Sequence, residues 1–236
     1  MQTSQTTTSS VAVSGGSTLQ LASNGTFNRV IKTATVAVTG GSKLDIDNNK
    51  LVMTAQPVGT WNGTAYTDVT GLIASGYSVN QDFSGSGIVT TQTAATGGNT
   101  LTNIGVASNT DLGLATFGGV SVGASDTLAM YTYGGDANLD GQINGDDYFQ
   151  TDSAFPQGGH GWFNGDFNYD GAITGDDYFI IDSNFPAQGS PIPTSAGVGG
   201  LAGVTAVPEP VSLIGILGAA GVATMNRRRR RRAATH

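Results

Sequence analysis

The sequence predicts a mainly β protein, in the form of a truncated β-solenoid-like repeat segment, followed by a small α module of two loop–helix repeats and one C-terminal transmembrane helix. Three observations lead to this fold class. A strand-and-turn pattern recurs near the N-terminus after 25 residues, an Asp-rich pattern recurs later after 30 residues, and a 15-residue apolar run precedes six arginines. We place the boundaries at 1–133 for the β segment, 134–190 for the α module, 191–206 for a flexible linker and 207–232 for the tail.

The composition supports short strands rather than long helices. The 236 residues include 36 glycines, only 11% charged residues and no cysteine. Such a composition favours strands joined by tight turns. Because a secreted protein of this size without disulfides needs another source of stability, repetitive β packing or bound metal is expected to supply it.

The charge is distributed unevenly along the chain. Six of the ten basic residues are Arg227–Arg232, which leaves four Lys and Arg against 17 acidic residues in the rest of the chain. Ten of those acidic residues lie between Asp136 and Asp182. A body this acidic is not expected to bind nucleic acid, whereas two divalent cations would offset part of its repulsion.

The N-terminal repeat predicts the β segment. VAVSGGSTLQL (Val11–Leu21) recurs as VAVTGGSKLDI (Val36–Ile46), and each copy alternates apolar and polar residues around a Gly-Gly turn, which is the strand period. Repeats of this length are typical of β-solenoid coils; an ordinary β-sandwich with two similar hairpins is the alternative. The repeat resembles those of autotransporter-like and planctomycete-type surface proteins. Two coils are too few to stand alone, and residues 1–10 contain no apolar signal segment, so we expect a longer array to precede them.

Further strands are predicted between the repeat and the Asp-rich region. LVMTAQ, GIVTTQT and TLAMYTY have the required alternation or β-rich composition. DVTGLIASGY (Asp68–Tyr77) is expected to form one or two short helical turns that cap the solenoid.

The Asp-rich repeat predicts two calcium sites. GDANLDGQINGDDYFQTDSAFP recurs as GDFNYDGAITGDDYFIIDSNFP, with each twelve-residue loop starting at the first Asp. Calcium takes oxygen ligands from positions 1, 3, 5, 7, 9 and 12 of such a loop. The predicted ligands are Asp136, Asn138, Asp140, the carbonyl of Gln142, Asn144 and Asp147 in the first loop, and Asp166, Asn168, Asp170, the carbonyl of Ala172, Thr174 and Asp177 in the second. Solvated turns without metal are the alternative, since Asp, Asn and Gly favour turns in any case.

The loops differ from a helix–loop–helix calcium hand. Position 12 is Asp instead of the usual Glu, and no helix is predicted before either loop, so an opening switch of paired helices is disfavoured. Each loop is followed by an apolar segment that ends at Pro156 or Pro186. Ile143 and Ile173, at position 8, are expected to pair the two loops by a short strand contact.

Over about residues 134–190, the duplicated units resemble the type I dockerin module. The resemblance implies two calcium ions, two antiparallel helices and docking onto a cohesin-like partner. Tyr148, Phe149, Tyr178 and Phe179 occupy the helix positions that contact the partner in that family, although the sequence leaves open whether they form the core of the module instead.

The C-terminal tail predicts sorting to the membrane. Pro208, Glu209 and Pro210 precede the apolar run Val211–Met225 and then the arginines. As a helix the run is about 22 Å long, short of the hydrocarbon core of roughly 30 Å, and the arginines favour a cytoplasmic C-terminus. The three features together resemble the PEP-CTERM sorting signal, which implies an exosortase partner and export to the cell envelope, the surface or the medium. A plain tail anchor is the alternative.

No catalytic constellation emerges from the sequence. Glu209 is the only glutamate, no isolated carboxylate pair suited to glycoside hydrolysis is visible in residues 1–134, and His160 has no Ser or Cys context and is expected to be solvated. Trp162 and Phe163 are expected to pack the two helices. The sequence therefore predicts a non-catalytic surface or secreted protein with a calcium-stabilised interaction module. Two alternatives remain: an accessory part of a polysaccharide-degrading system whose catalytic region is missing, and a module that acts within its own chain as a calcium-rigidified spacer.

Overall fold

A computed structural model describes residues 5–23, 25 and 29–194. These residues form a mixed α/β fold with three open sheets and four short α-helices. The strands are β1 (Gln5–Val13), β2 (Thr18–Gln20), β3 (Val30–Val38), β4 (Lys43–Asp45), β5 (Lys50–Met53), β6 (Gly87–Val89), β7 (Thr102–Ser108), β8 (Thr116–Phe117), β9 (Val120–Ser121) and β10 (Thr127–Tyr133). The helices are α1 (Asp68–Tyr77), α2 (Asn109–Leu112), α3 (Gly145–Ala154) and α4 (Gly175–Asn184).

The 25-residue repeat sets the register of two sheets. The largest sheet has the order β1-β3-β5-β10-β7, in which β1, β3 and β5 are parallel and β10 is antiparallel to both of its neighbours. Val11 pairs with Val36 in this sheet, and Leu19 pairs with Leu44 in the parallel sheet β2-β4-β6. Equivalent positions of the two copies therefore lie side by side.

The predicted solenoid is nevertheless wrong, and with it the mainly β fold class. A solenoid needs each successive coil to repeat the same parallel strands, and the 25-residue pattern occurs only twice. After β5 the chain passes through α1 before it reaches β6, and β10 then pairs with β5 in the antiparallel sense. Both sheets remain open, and the architecture is mixed α/β.

The segment Asp68–Tyr77 is helical, as expected, and forms one ten-residue helix, longer than the one or two short turns predicted. Its buried side chains include Val69, Ile73 and Tyr77, at the four-residue spacing of one helix face. This face packs beside β6. The strands predicted from LVMTAQ, GIVTTQT and TLAMYTY are confirmed, as β5, β6 and β10.

The loop–helix units share the hydrophobic core of the β strands. Leu139, Trp162, Phe167 and Ile181 are all buried in the same apolar cluster as the strand residues, among them Leu51. A helix follows each Asp-rich loop, whereas a strand precedes the first loop and a 3-10 turn at Trp162–Asn164 precedes the second. The loops are thus held between their own helices and the sheet.

None of the helices in the described part of the chain is long and apolar enough to cross a membrane. The predicted span Val211–Met225 and the sorting motif Pro208–Pro210 lie outside the described residues.

Candidate metal centre

The two Asp-rich loops have nearly the same backbone conformation. Position 4 has a φ of 58° at Leu139 and 61° at Tyr169, and position 6 has a φ of 91° at Gly141 and 90° at Gly171. A φ near 90° is accessible chiefly to glycine, which explains the residue type at position 6. The sequence repeat is therefore a repeat of turn geometry.

The carboxylates at position 1 are fully buried and hydrogen-bonded to their own loops. Asp136 accepts the N–H groups of Asp140 at 3.1 Å and Gly141 at 2.9 Å. Asp166 accepts those of positions 5 and 6 of the second loop, at 3.2 and 2.9 Å. Each carboxylate also accepts a hydroxyl from outside its loop, from Thr132 for Asp136 and from Tyr66 for Asp166.

The carboxylates at position 12 are also fully buried, and they connect each helix to its loop. One oxygen of Asp147 accepts the N–H of Ala137 at 2.8 Å, and the other accepts that of Asn144 at 2.8 Å. Asp177 bonds in the same way to Phe167 and Thr174. Asn144 and Thr174 are the N-caps of α3 and α4, and with position 12 they complete a capping box at each helix.

The remaining predicted positions complete the two hydrogen-bonded loops. In the first loop, Asn138 accepts the N–H of Asp140 at 2.9 Å, and Asn144 donates to the Asp140 carboxylate at 3.1 Å. In the second loop, Asn168 donates to Asp170 at 3.0 Å. The two residues predicted to bind through their carbonyls, Gln142 and Ala172, donate their N–H groups to position 5 at 3.0 Å.

Burial raises the pKa of all four carboxylates at positions 1 and 12. The pKa rises to about 6 for Asp147 and Asp177, and Asp136 and Asp166 are also raised. Burial is the largest cause, and neighbouring carboxylates add to it: the charges that act most strongly on Asp136 are those of Asp147 and Asp140. Buried carboxylates are costly unless hydrogen bonds and a positive charge compensate them, and a bound cation would supply that charge.

The donor set fits calcium in its chemistry. Every predicted ligand atom is a carboxylate, amide, hydroxyl or carbonyl oxygen, the ligand types that Ca²⁺ prefers. In the ranges 5–23, 25 and 29–194, no three His, Cys, Asp or Glu side chains converge closely enough to hold an ion by themselves. The fit therefore rests on the donor chemistry and on the burial of the four carboxylates.

The expected pairing of Ile143 with Ile173 is not what the structure shows. The side-chain amide of Gln188 instead bonds both backbone groups of Ile143, accepting its N–H at 2.7 Å and donating to its carbonyl at 2.7 Å. Ile192 donates its N–H to the carbonyl of Gly141 at 2.8 Å. The chain after α4 folds back along the first loop and occupies the position that the second loop was expected to take.

The second loop is covered by residues that sequence reasoning missed. The ring of Trp61 lies against Gly171, where a Cβ would come within 2.4 Å of it. The Nδ1 atom of His160 is 2.7 Å from the carbonyl oxygen of Gly171, so this exposed histidine is bonded to the loop rather than simply solvated. The dipeptide Asn62-Gly63 signals a turn between Trp61 and Tyr66, which form an isolated antiparallel bridge. No local pattern connects that turn to a loop 100 residues away.

The helices α3 and α4 are antiparallel and related by the 30-residue repeat. The Tyr148 hydroxyl donates to Asp182 at 2.7 Å, and the Tyr178 hydroxyl donates to Asp152 at 2.6 Å. Phe149 has 71% of its surface exposed, and its equivalent Phe179 has 68%. The two phenylalanines are therefore at the surface and not in the core, whereas the tyrosines are half-buried between the helices.

No protein family, curated protein or solved structure was found to match this chain.

Proposed function

We propose that this chain is a non-catalytic protein of the cell surface or the medium, stabilised by two calcium ions in its Asp-rich loops. The observation that supports this most directly is that the carboxylates at positions 1 and 12 are fully buried in both loops. They lie among other oxygen atoms that can act as metal ligands and among other negatively charged carboxylates. Calcium in each loop would offset those charges. The exported location and the exosortase partner are proposed from the tail sequence alone.

The contacts of the loops favour a role within the chain. Thr132 of β10 donates its hydroxyl to the Asp136 carboxylate of the first loop, Asn103 of β7 donates to the carbonyl of Phe167 in the second loop at 3.2 Å, and Asn184 of α4 donates to the carbonyl of Thr100 at 2.6 Å. Because both loops are bonded to the β part of the fold, calcium is proposed to stabilise the whole domain. This proposal extends the interpretation as a calcium-rigidified spacer from the loop–helix units to the whole domain.

Calorimetric titration of the full chain with calcium tests this proposal. We expect two ions per chain, and one ion after either Asp136→Asn or Asp166→Asn, because each substitution removes a charge at position 1 while retaining the side-chain shape. The double variant is expected to bind none. Asp146→Asn is the matched control, since Asp146 lies in the first turn of α3 but is exposed. Absence of binding at millimolar calcium, or two ions retained in the double variant, would refute calcium binding at these loops.

A second, compatible function is docking of a cohesin-like partner on the exposed aromatic side chains of α3 and α4. Besides Phe149 and Phe179, Phe155 and Phe185 are 52% and 48% exposed, so the same two exposed phenylalanines occur in each copy of the 30-residue repeat. Aromatic side chains, phenylalanine included, are enriched in the cores of protein–protein interfaces.

If a cohesin domain docks on these side chains, the double variant Phe149→Ser, Phe179→Ser should no longer bind it in surface plasmon resonance. The same variant should still bind two calcium ions per chain. The folded state should lose little stability, because both side chains are mostly solvated. A cohesin domain that fails to bind the unaltered calcium-loaded chain would remove this second function and leave the first intact.

A further inference from the structure

The second loop receives its outer hydrogen-bond donor from a distant part of the chain. The Tyr66 hydroxyl donates to Oδ2 of Asp166 and accepts the N–H of Gly161 at 2.7 Å. Tyr66 is 8% exposed and Asp166 is fully buried. The bond therefore lies in a region from which water is largely excluded, where a hydrogen bond to a carboxylate is strong.

The turn Trp61–Tyr66 also packs against the second loop. Trp61 packs on Gly171 and lies 5.1 Å from the Tyr66 ring and 6.2 Å from the His160 ring, centroid to centroid. Tyr66 further meets Tyr169, at position 4 of the loop, edge-on at 6.4 Å. Residues 61–66 thus contact the second loop at positions 1, 4 and 6.

The first loop is positioned in a different way. Its outer hydroxyl comes from Thr132, in the strand that leads directly into the loop. Asp136 follows Thr132 by four positions in the sequence, whereas Asp166 follows Tyr66 by 100. The donor of the first loop is therefore fixed by local chain geometry, and that of the second depends on the tertiary fold.

We propose that Tyr66 is a positioning residue for calcium in the second loop, and that ion binding there is coupled to the order of the Trp61–Tyr66 turn. The inference rests on the proposed calcium binding and adds that the two sites are not equivalent. Without its hydroxyl donor, the Asp166 carboxylate loses one of the bonds that fix its orientation, and the Gly161 N–H loses its acceptor. Groups that orient a metal ligand typically affect metal affinity by about 10–100-fold.

A cycle of variants in the full chain tests the proposal by calorimetry with calcium alone. In the Asp136→Asn background, which leaves only the second site, Tyr66→Phe should weaken calcium binding by about 10–100-fold. In the Asp166→Asn background, which leaves only the first site, Tyr66→Phe should leave the affinity unchanged. Tyr131→Phe is the matched control, because Tyr131 is a buried tyrosine of β10, outside both loops, whose hydroxyl accepts a hydrogen bond from Thr102 at 2.8 Å. Equal effects in the two backgrounds, or no effect in the first, would overturn the inference.

Hydrogen exchange provides a readout that does not require Tyr66 to be changed. In the Asp136→Asn chain, calcium should slow exchange of the amides of Ala65 and Thr67, which flank Tyr66, and in the Asp166→Asn chain it should not. If calcium binds but these amides respond in neither background, the coupling is wrong while calcium binding stands. If the unaltered chain binds no calcium, it is the proposed function that fails.

Discussion

Removal of calcium from the full chain is expected to lower the midpoint of thermal unfolding by about 15–30 °C. A ligand present at a thousand times its dissociation constant stabilises the folded state by about 4 kcal/mol per site, so two ions contribute about 8 kcal/mol. A change of 1 kcal/mol shifts the midpoint of a domain of this size by about 2–4 °C. Differential scanning calorimetry in millimolar calcium and in excess chelator measures the shift.

The effect should extend to the strands as well as to the loops. Since Trp162, Phe167 and the strand residues belong to one hydrophobic cluster, loss of the loops would expose the adjoining face of the sheet. We therefore expect far-UV circular dichroism and tryptophan fluorescence to report a single coincident transition. Loss of helix signal on chelation while the strand signal persists to a much higher temperature would contradict a shared fold and favour an independent module.

The pH dependence of stability after chelation tests whether the buried carboxylates destabilise the calcium-free protein. Burial raises the folded-state pKa of Asp147 and Asp177 from the ordinary 3.8 to about 6, so the metal-free folded state binds protons more tightly than the unfolded chain. The contribution of these two groups to its stability is therefore greatest at low pH and falls as the pH rises from about 4 to about 6. The chelated protein should melt at a higher temperature near pH 5 than near pH 7.5. Without calcium, equal midpoints at the two pH values would show that these carboxylates are not a source of instability.

The loops could be predicted from the sequence because their geometry is local. Three features lie within twelve residues: the spacing of the oxygen ligands, the glycine at position 6, and the N-cap three residues before position 12. Each of them occurs in both copies of the repeat. The structure brings the side chains of Asp136, Asp140 and Asp147 into one hydrogen-bonded loop. The structure also explains why position 12 is Asp. Its short side chain completes the capping box of the helix and accepts hydrogen bonds from backbone N–H groups of the loop.

The fold class could not be predicted, because it depends on pairings between distant segments. The 25-residue repeat correctly indicates strands in equivalent register, but nothing in either copy indicates that β10 will pair antiparallel to β5 and end the array. The contact between Tyr66 and Asp166, and the bonds of Gln188 to Ile143, likewise join segments with no shared pattern. Local patterns thus specify the loops, and the tertiary fold determines what surrounds them.

Replacing Trp162 with alanine is expected to lower the free energy of unfolding by about 3–5 kcal/mol, the usual cost of removing a large aromatic side chain from a core. Trp162 is 1% exposed. Its ring is stacked on Tyr169 at 5.6 Å and meets Phe167 edge-on at 5.1 Å. It also lies against Gly105 of β7, where a Cβ would approach the indole to 2.7 Å. Chemical denaturation in the presence of calcium measures the loss of stability. Phe163→Ala is the matched control, because Phe163 is the half-buried neighbour of Trp162.

Trp162 contacts both loops, so its loss should also reduce calcium affinity at both sites. Its N–H bonds the carbonyl of Asp136 in the first loop, and its ring packs on Tyr169 in the second. Trp162→Phe separates the two effects, because it retains most of the packing and removes a hydrogen bond worth about 1 kcal/mol. We expect it to weaken the first site more than the second. If Trp162→Ala costs no more stability than Phe163→Ala, the indole is not the element that joins the calcium loops to the sheet, and the bonds of Asn103 and Asn184 would have to do so.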